Sequence, residues 1–218
     1  MFVRATRVQA PPGKLKAAIQ NFKTNVIKGV RSTRGNQGAA LLVNRQTGAG
    51  IGITYWESAD ALVASEKLGV HSRQRASVNV ERAELVIMDR AAAPKAGSFV
   101  RVVTANGDPD KLDAAIVYIR NTVLAVLKAQ KGYWATIASV DRQSGRLSAS
   151  SVWDTKADLD ASESKIAGPW AETAKIAGAS SQDVQVEIFE TVLVELSAAA
   201  TPATARPEHN ETPRPPPF

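Results

Sequence analysis

Apolar residues early in the chain recur at spacings of three and four, as Leu15, Ile19, Phe22, Val26 and Val30. Such spacing places them on one face of a helix. The same five positions return ninety-seven residues later as Leu112, Ile116, Ile119, Val123 and Leu127. The repetition extends beyond the helix: Phe2-Val3-Arg4 matches Phe99-Val100-Arg101, and the register holds without a gap to Glu66 and Glu163. Pro12/Pro109, Lys14/Lys111, Gly35/Gly132, Arg45-Gln46/Arg142-Gln143, Gly48/Gly145 and Trp56/Trp153 all fall on it. Internal repetition at a fixed offset constrains the architecture before any motif does.

Each copy predicts the order strand, helix, strand, strand, helix, strand. Asp108 is a capping carboxylate before Pro109, Pro12 repeats the first-turn proline, and Gly35 and Gly132 end the helices. Apolar runs 39–43 and 135–140 are followed by Asn44-Arg45-Gln46-Thr47-Gly48 and Asp141-Arg142-Gln143-Ser144-Gly145, then by second runs ending at Trp56 and Trp153. A polar loop closing on glycine between two strand-like runs predicts a hairpin. Ser58 and Thr155 are caps for a second helix, which in the second copy should break at Gly168-Pro169-Trp170. Residues 84–88 and 184–194 read as the final strands.

These patterns divide the chain into repeat 1 (1–90), a linker (91–97), repeat 2 (98–197) and a Pro/Ala-rich tail (198–218) expected to be disordered. A βαββαβ unit is the ferredoxin-like α+β topology, with both helices on one face of an antiparallel sheet. Two such units hide their bare faces by packing sheet to sheet, here as tandem repeats forming a pseudo-dimeric α/β barrel. A small molecule would sit between the sheets, or between sheet and helices.

Composition narrows the chemistry. The chain has no cysteine and two histidines, which removes disulfides and thiolate nucleophiles and argues against a metal site. No apolar run is long enough to span a bilayer, and the first residues lead directly into a strand pattern, so no membrane partner and a cytoplasmic location are expected. The net charge is +6. Its distribution is uneven: residues 1–90 carry 14 Lys/Arg against 6 Asp/Glu, whereas residues 98–197 carry 10 against 13. Lys14, Lys16, Lys23, Lys28, Arg31 and Arg34 in and around the first helix could meet phosphates, but a solvated helix face explains them more simply, so nucleic acid is the weaker reading.

The repeated element order and the strand-end tryptophan before a helix, Trp56-Glu57-Ser58-Ala59-Asp60-Ala61-Leu62 and Trp153-Asp154-Thr155-Lys156-Ala157-Asp158-Leu159, resemble the antibiotic-biosynthesis-monooxygenase (ABM) domain of the dimeric α/β-barrel superfamily. The resemblance covers residues 2–90 and 99–196. It implies that the tandem copies stand in for the family's usual homodimer, either as a monomeric pseudo-dimer or as the unit of a further dimer. It also implies a small apolar or aromatic ligand. The expected function is cofactor-independent oxygenation of an aromatic or polyketide-like molecule; the alternative is ligand binding or interaction without chemistry. The haem-degrading branch implies an asparagine on the first strand and a histidine on the second helix. This chain offers Arg7 and Thr104 for the first, and for the second His71, too far beyond Trp56, so haem degradation is disfavoured.

Candidate catalytic residues are His71, an acid or base near neutral pH, and Arg7. Candidate ligand contacts are Tyr55, Trp56, Asn36 and Trp134, with no metal and no cofactor. Trp56 recurs as Trp153, which favours shared packing. Arg4 recurs as Arg101, which favours a structural ion pair or hydrogen bond. Tyr133-Trp134 stands where repeat 1 has Asn36-Gln37, so aromatic bulk is added to one copy only, as if one cavity were filled and the other kept open. Gly48-Ala49-Gly50-Ile51-Gly52 lacks the intervals of a phosphate loop and reads as a turn with a glycine-thinned strand.

Overall fold

The computed structural model describes residues 1–11, 13–67, 79–91 and 95–197. His71, the linker residues 92–94 and the tail from 198 lie outside the described residues.

Among the described residues, eight antiparallel strands form one closed barrel. They are β1 (Phe2–Gln9), β2 (Asn36–Val43), β3 (Ala49–Trp56), β4 (Asn79–Arg90), β5 (Phe99–Asn106), β6 (Tyr133–Asp141), β7 (Arg146–Trp153) and β8 (Val184–Leu196). Their order around the barrel is β1-β3-β2-β8-β5-β7-β6-β4. Each repeat supplies four neighbouring strands in ferredoxin-like order, β4-β1-β3-β2 and β8-β5-β7-β6. The sheets therefore do more than pack face to face: their edges join, and the space between them becomes one shared interior.

The joining falls to the long last strand of each repeat. β4 pairs with β1 of its own repeat from Asn79 to Glu84, then with β6 of the other repeat from Glu84 to Arg90. β8 does the same, pairing with β5 from Val184 to Glu190 and with β2 from Glu190 to Leu196. Register shifts at Leu85/Ile87 and Leu41/Leu42 mark bulges in these crossing ladders, devices that bend a strand and increase its twist. Among the described residues, closure leaves no unpaired edge.

The first helix of each repeat has the same three-part build. α1 (Leu15–Asn21) continues through a π-helical turn (Phe22–Val26) into α2 (Ile27–Arg31), and α4 (Leu112–Tyr118) continues through Ile119–Val123 into α5 (Leu124–Lys128). Gly35 and Gly132, at φ +81° and +74°, supply the left-handed residues that turn the chain from helix to strand. Neither could carry a Cβ, which would lie 2.6 Å from Ala61 Cβ or 2.5 Å from the Asp158 carboxylate. The second helices, α3 (Ala59–Lys67) and α6 (Lys156–Ile176), begin as expected: Ser58 Oγ accepts from Ala61 N–H, and Thr155 Oγ1 from Asp158 N–H.

The expected break at Pro169 does not occur; α6 runs unbroken for 21 residues. A mid-helix proline forfeits one backbone hydrogen bond and strains the preceding turn. The cost is offset by what the continued helix covers, because Ile166, Trp170 and Ala174 are all buried. Among the described residues no helix is long and apolar enough to cross a membrane.

Candidate functional site

Side chains alternate along each strand, so the two faces of the barrel wall carry different residues. On β1, Val3, Ala5 and Arg7 point into the barrel, whereas Arg4, Thr6 and Val8 face the helices; on β3, Ile51, Ile53 and Tyr55 point in, whereas Gly50, Gly52 and Thr54 face out. Two spaces follow, one on each face.

The barrel interior is nearly full. Leu42, Ile51, Val100, Val102 and Phe189 form its core, and the remaining cavity is about 110 Å³. Ligand pockets for drug-sized molecules run from roughly 300 to 1,000 Å³, so this space suits only something very small. Arg7 lies here with its charge committed: Nε is 3.1 Å from Glu81 Oε1 and Nη1 is 2.5 Å from Glu187 Oε2. Arg146 shares the cluster at 3.0 Å from Glu81, so one ionic network ties β1, β4, β7 and β8 together across both repeats. Tyr55 also lines the interior, its phenol pushed up to about 12 by burial. Trp134 lines it too, with the Lys95 ammonium 4.3 Å from its ring centroid.

The second space lies between the sheet and the first helix of repeat 1 and measures about 1030 Å³. Its walls are mainly apolar, with Leu15, Ile19 and Phe22 from the helical side, Leu41 and Val43 from β2, and glycines from β3. Gly52 allows a close approach: a Cβ there would sit 2.8 Å from the Phe22 ring. The equivalent region of repeat 2 is packed solid. Leu112, Ile116, Ile119 and Val123 are all buried there, whereas none of Leu15, Ile19, Phe22 and Val26 is.

Individual substitutions account for the difference. Where repeat 1 has Gly50, repeat 2 has the buried Leu147; where repeat 1 has Asn36, repeat 2 has Tyr133, set edge-on to Trp153 at 5.9 Å. The continued helix α6 adds Ile166 and Trp170 to the same core.

Among the described residues, one buried cation marks each repeat. Arg4 Nη1 donates to Ser65 Oγ at 2.8 Å, and the guanidinium carbon lies 5.3 Å from the Trp56 ring centroid. Arg101 Nη1 donates to Ser162 Oγ at 2.9 Å, and its Nη2 donates to Leu159 O at 3.0 Å and reaches Glu163 at 2.7 Å. Burial lowers the pKa of both guanidinium groups, and Glu66 or Glu163 works against that shift. The expected structural ion pair is present in both copies, but its quality differs. Glu66 is 3.8 Å from Arg4 because it sits 2.8 Å from Arg82, on β4 directly opposite Arg4. The residue opposite Arg101 is Ile188.

Of the residues expected from the sequence, Arg7, Tyr55 and Trp134 therefore share the barrel interior, apart from the larger cavity. Trp56 and Asn36 line neither space. Trp56 is fully buried in the core between sheet and helices, its indole N–H donating to Thr54 Oγ1 at 2.9 Å. The Asn36 amide is spent on backbone, donating to Gly38 O and Tyr55 O and accepting from Gly38 N–H at the β2 bulge. Each sits where its polar group holds the strand end. Arg4, Phe22, Gly50 and Arg82 were not expected at a cavity, though the exchange of Gly50 for Leu147 between aligned copies was the readable sign. Among the described residues no group of three or more His, Asp or Glu is placed to hold a metal ion.

Fold and cavity together define a fused dimeric α/β barrel with one open helix–sheet space. Residues 1–75, within the first repeat, match the family model for antibiotic biosynthesis monooxygenase. An uncharacterized protein of Mycobacterium tuberculosis is 29% identical over 161 residues, spanning 71% of this chain and 72% of its own length. Among solved structures, a provisionally named monooxygenase of Fusobacterium nucleatum superposes with a TM-score of 0.67 at 12% identity, covering 89% of this chain and 94% of its own. An anthrone oxidase-like protein superposes equally well, at 0.67 and 13% identity over 93% and 95%. At these identities the structural likeness is one of fold.

Proposed function

We propose that the protein takes a small, flat, largely apolar molecule into the helix–sheet cavity of repeat 1 and oxygenates it without a metal or organic cofactor. The observation that carries this reading is the cavity of about 1030 Å³ in one repeat, set against the packed counterpart in the other. A duplicated barrel gains stability from a filled copy and keeps an open one for a ligand.

The family supports the chemistry. An anthrone-type or hydroquinone-type substrate that loses a proton becomes an electron-rich anion able to reduce dioxygen directly. One oxygen atom enters the ring carbon, and the other leaves as water with the two hydrogens lost from the substrate. The protein's part is to hold the ring, exclude water and favour the anion. His71, outside the described residues, stays the candidate base within this proposal, whereas Arg7 faces the barrel interior and is held by Glu81 and Glu187, away from this cavity.

A second reading, binding without turnover, is favoured by Thr54, Glu66 and Arg82 on the cavity wall, which are engaged with protein partners. Thr54 accepts from Trp56, and Glu66 holds Arg82 in a two-point pair at 2.8 and 3.0 Å. Oxygen uptake with anthrone and 1,4-naphthohydroquinone tests both readings. The oxygenase reading expects uptake above the uncatalysed rate that is lost in Gly50→Leu, the variant carrying repeat 2's residue. Binding of these compounds without uptake supports the second reading, and neither binding nor uptake overturns both.

A further inference from the structure

Arg4 is a buried charged group on the wall of the repeat 1 cavity, and its donors are only partly met. Its side chain is 2% exposed, yet among the described residues Nε and Nη2 have no hydrogen-bond partner. Leaving buried donors unmade is costly, and more so on a charged group. Arg101 faces the same backbone environment and resolves it: its Nη2 is held by a carbonyl and a carboxylate, leaving only Nε unpaired. Repeat 1 has the residues for the same solution, Leu62 and Glu66, but Arg82 draws Glu66 away. The cavity wall thus carries Arg4, Lys14 and Arg82 against Glu66, an excess of positive charge around an otherwise apolar space.

We infer that the ligand of this cavity is an aromatic acid: a ring system that lies against Phe22 and the glycine-thinned β3, carrying an anionic oxygen, carboxylate or ionised phenol, that pairs with Arg4. This rests on the cavity being the ligand site. A guanidinium with two unpaired nitrogens offers an oxyanion a charge-assisted hydrogen bond. The partly buried setting strengthens it relative to one made in water. An anion there also balances the charge that Arg82 leaves on Arg4.

The test compares 2-naphthoate with 2-naphthamide, two probes of the same ring system and nearly the same shape, by calorimetry on the full chain. Naphthoate should bind at least tenfold more tightly. Arg4→Gln should erase that preference while naphthamide binding persists, which also reports that the variant is folded. Arg101→Gln, in the packed repeat, should leave the preference intact. Equal binding of the two probes to the unaltered protein overturns the inference and leaves the cavity standing. A preference that survives Arg4→Gln overturns the role of Arg4. Failure of both probes to bind, or binding unchanged in Gly50→Leu, removes the cavity reading on which the inference rests.

Discussion

At the scale of single residues, burial decides which expected groups are framework and which are available. Trp56 and Trp153 are both fully buried, each tied by its indole N–H to a hydroxyl two residues back on the same strand, Thr54 or Ser151. Replacing Trp56 by alanine removes a large buried side chain and should cost roughly 3–5 kcal/mol. Urea unfolding measures this, and a loss below about 1 kcal/mol would show that the site is loosely packed. Tyr55 gives a pH signature. Its pKa is raised from 10.0 to about 12, so the folded protein keeps the phenol neutral where the unfolded chain ionises it. That stabilisation is whole below pH 10 and is lost as the pH climbs from 10 to about 12. Tyr55→Phe should flatten the fall of unfolding free energy across that window; an unchanged slope would mean that Tyr55 ionises freely in the folded state.

At the scale of elements, the hairpins, caps and helix stops are local and were readable. Asn44 Oδ1 accepts from Gln46 and Thr47 N–H, and Asp141 Oδ1 from Gln143 N–H, so each loop is closed by its own first residue. Local rules failed at α6, where tertiary burial of Trp170 and Ile166 holds a helix through Pro169. The strain is still there. Pro169→Ala should therefore raise stability, by up to about 3 kcal/mol, and thermal unfolding would show it as a higher midpoint. A lower midpoint would mean that the proline ring itself packs usefully. The first helices show the reverse relation: the same apolar spacing yields a buried face in α4 and a half-open one in α1, because what covers the face lies on other elements.

At the scale of the whole molecule, closure makes the two repeats one folding unit. β4 and β8 each spend half their length in the opposite repeat, and Arg7, Glu81, Glu187 and Arg146 join both repeats inside the barrel. Equilibrium unfolding should show one cooperative transition by fluorescence and circular dichroism alike; two separated transitions would contradict a shared core. A chain ending after repeat 1 would expose β2 along one edge and the second half of β4 along the other. Unpaired edges recruit partners. Residues 1–91 expressed alone should run as a dimer or larger species in light scattering, and a stable monomer would show that closure is dispensable.

The sequence by itself determined the duplication, the element order, the turn and cap residues, and the ferredoxin-like class of each half, because these depend on periodicity and local backbone preference. It also carried, in Gly50 against Leu147, one difference between an open copy and a filled one. Only the tertiary structure decided that the sheets join edge to edge, that Arg7 and Tyr55 face the barrel while Arg4 faces the helices, and that Arg82 competes with Arg4 for Glu66. Those outcomes depend on strand register and on contacts between residues far apart in the chain, where a shift of one residue exchanges the two faces of a strand.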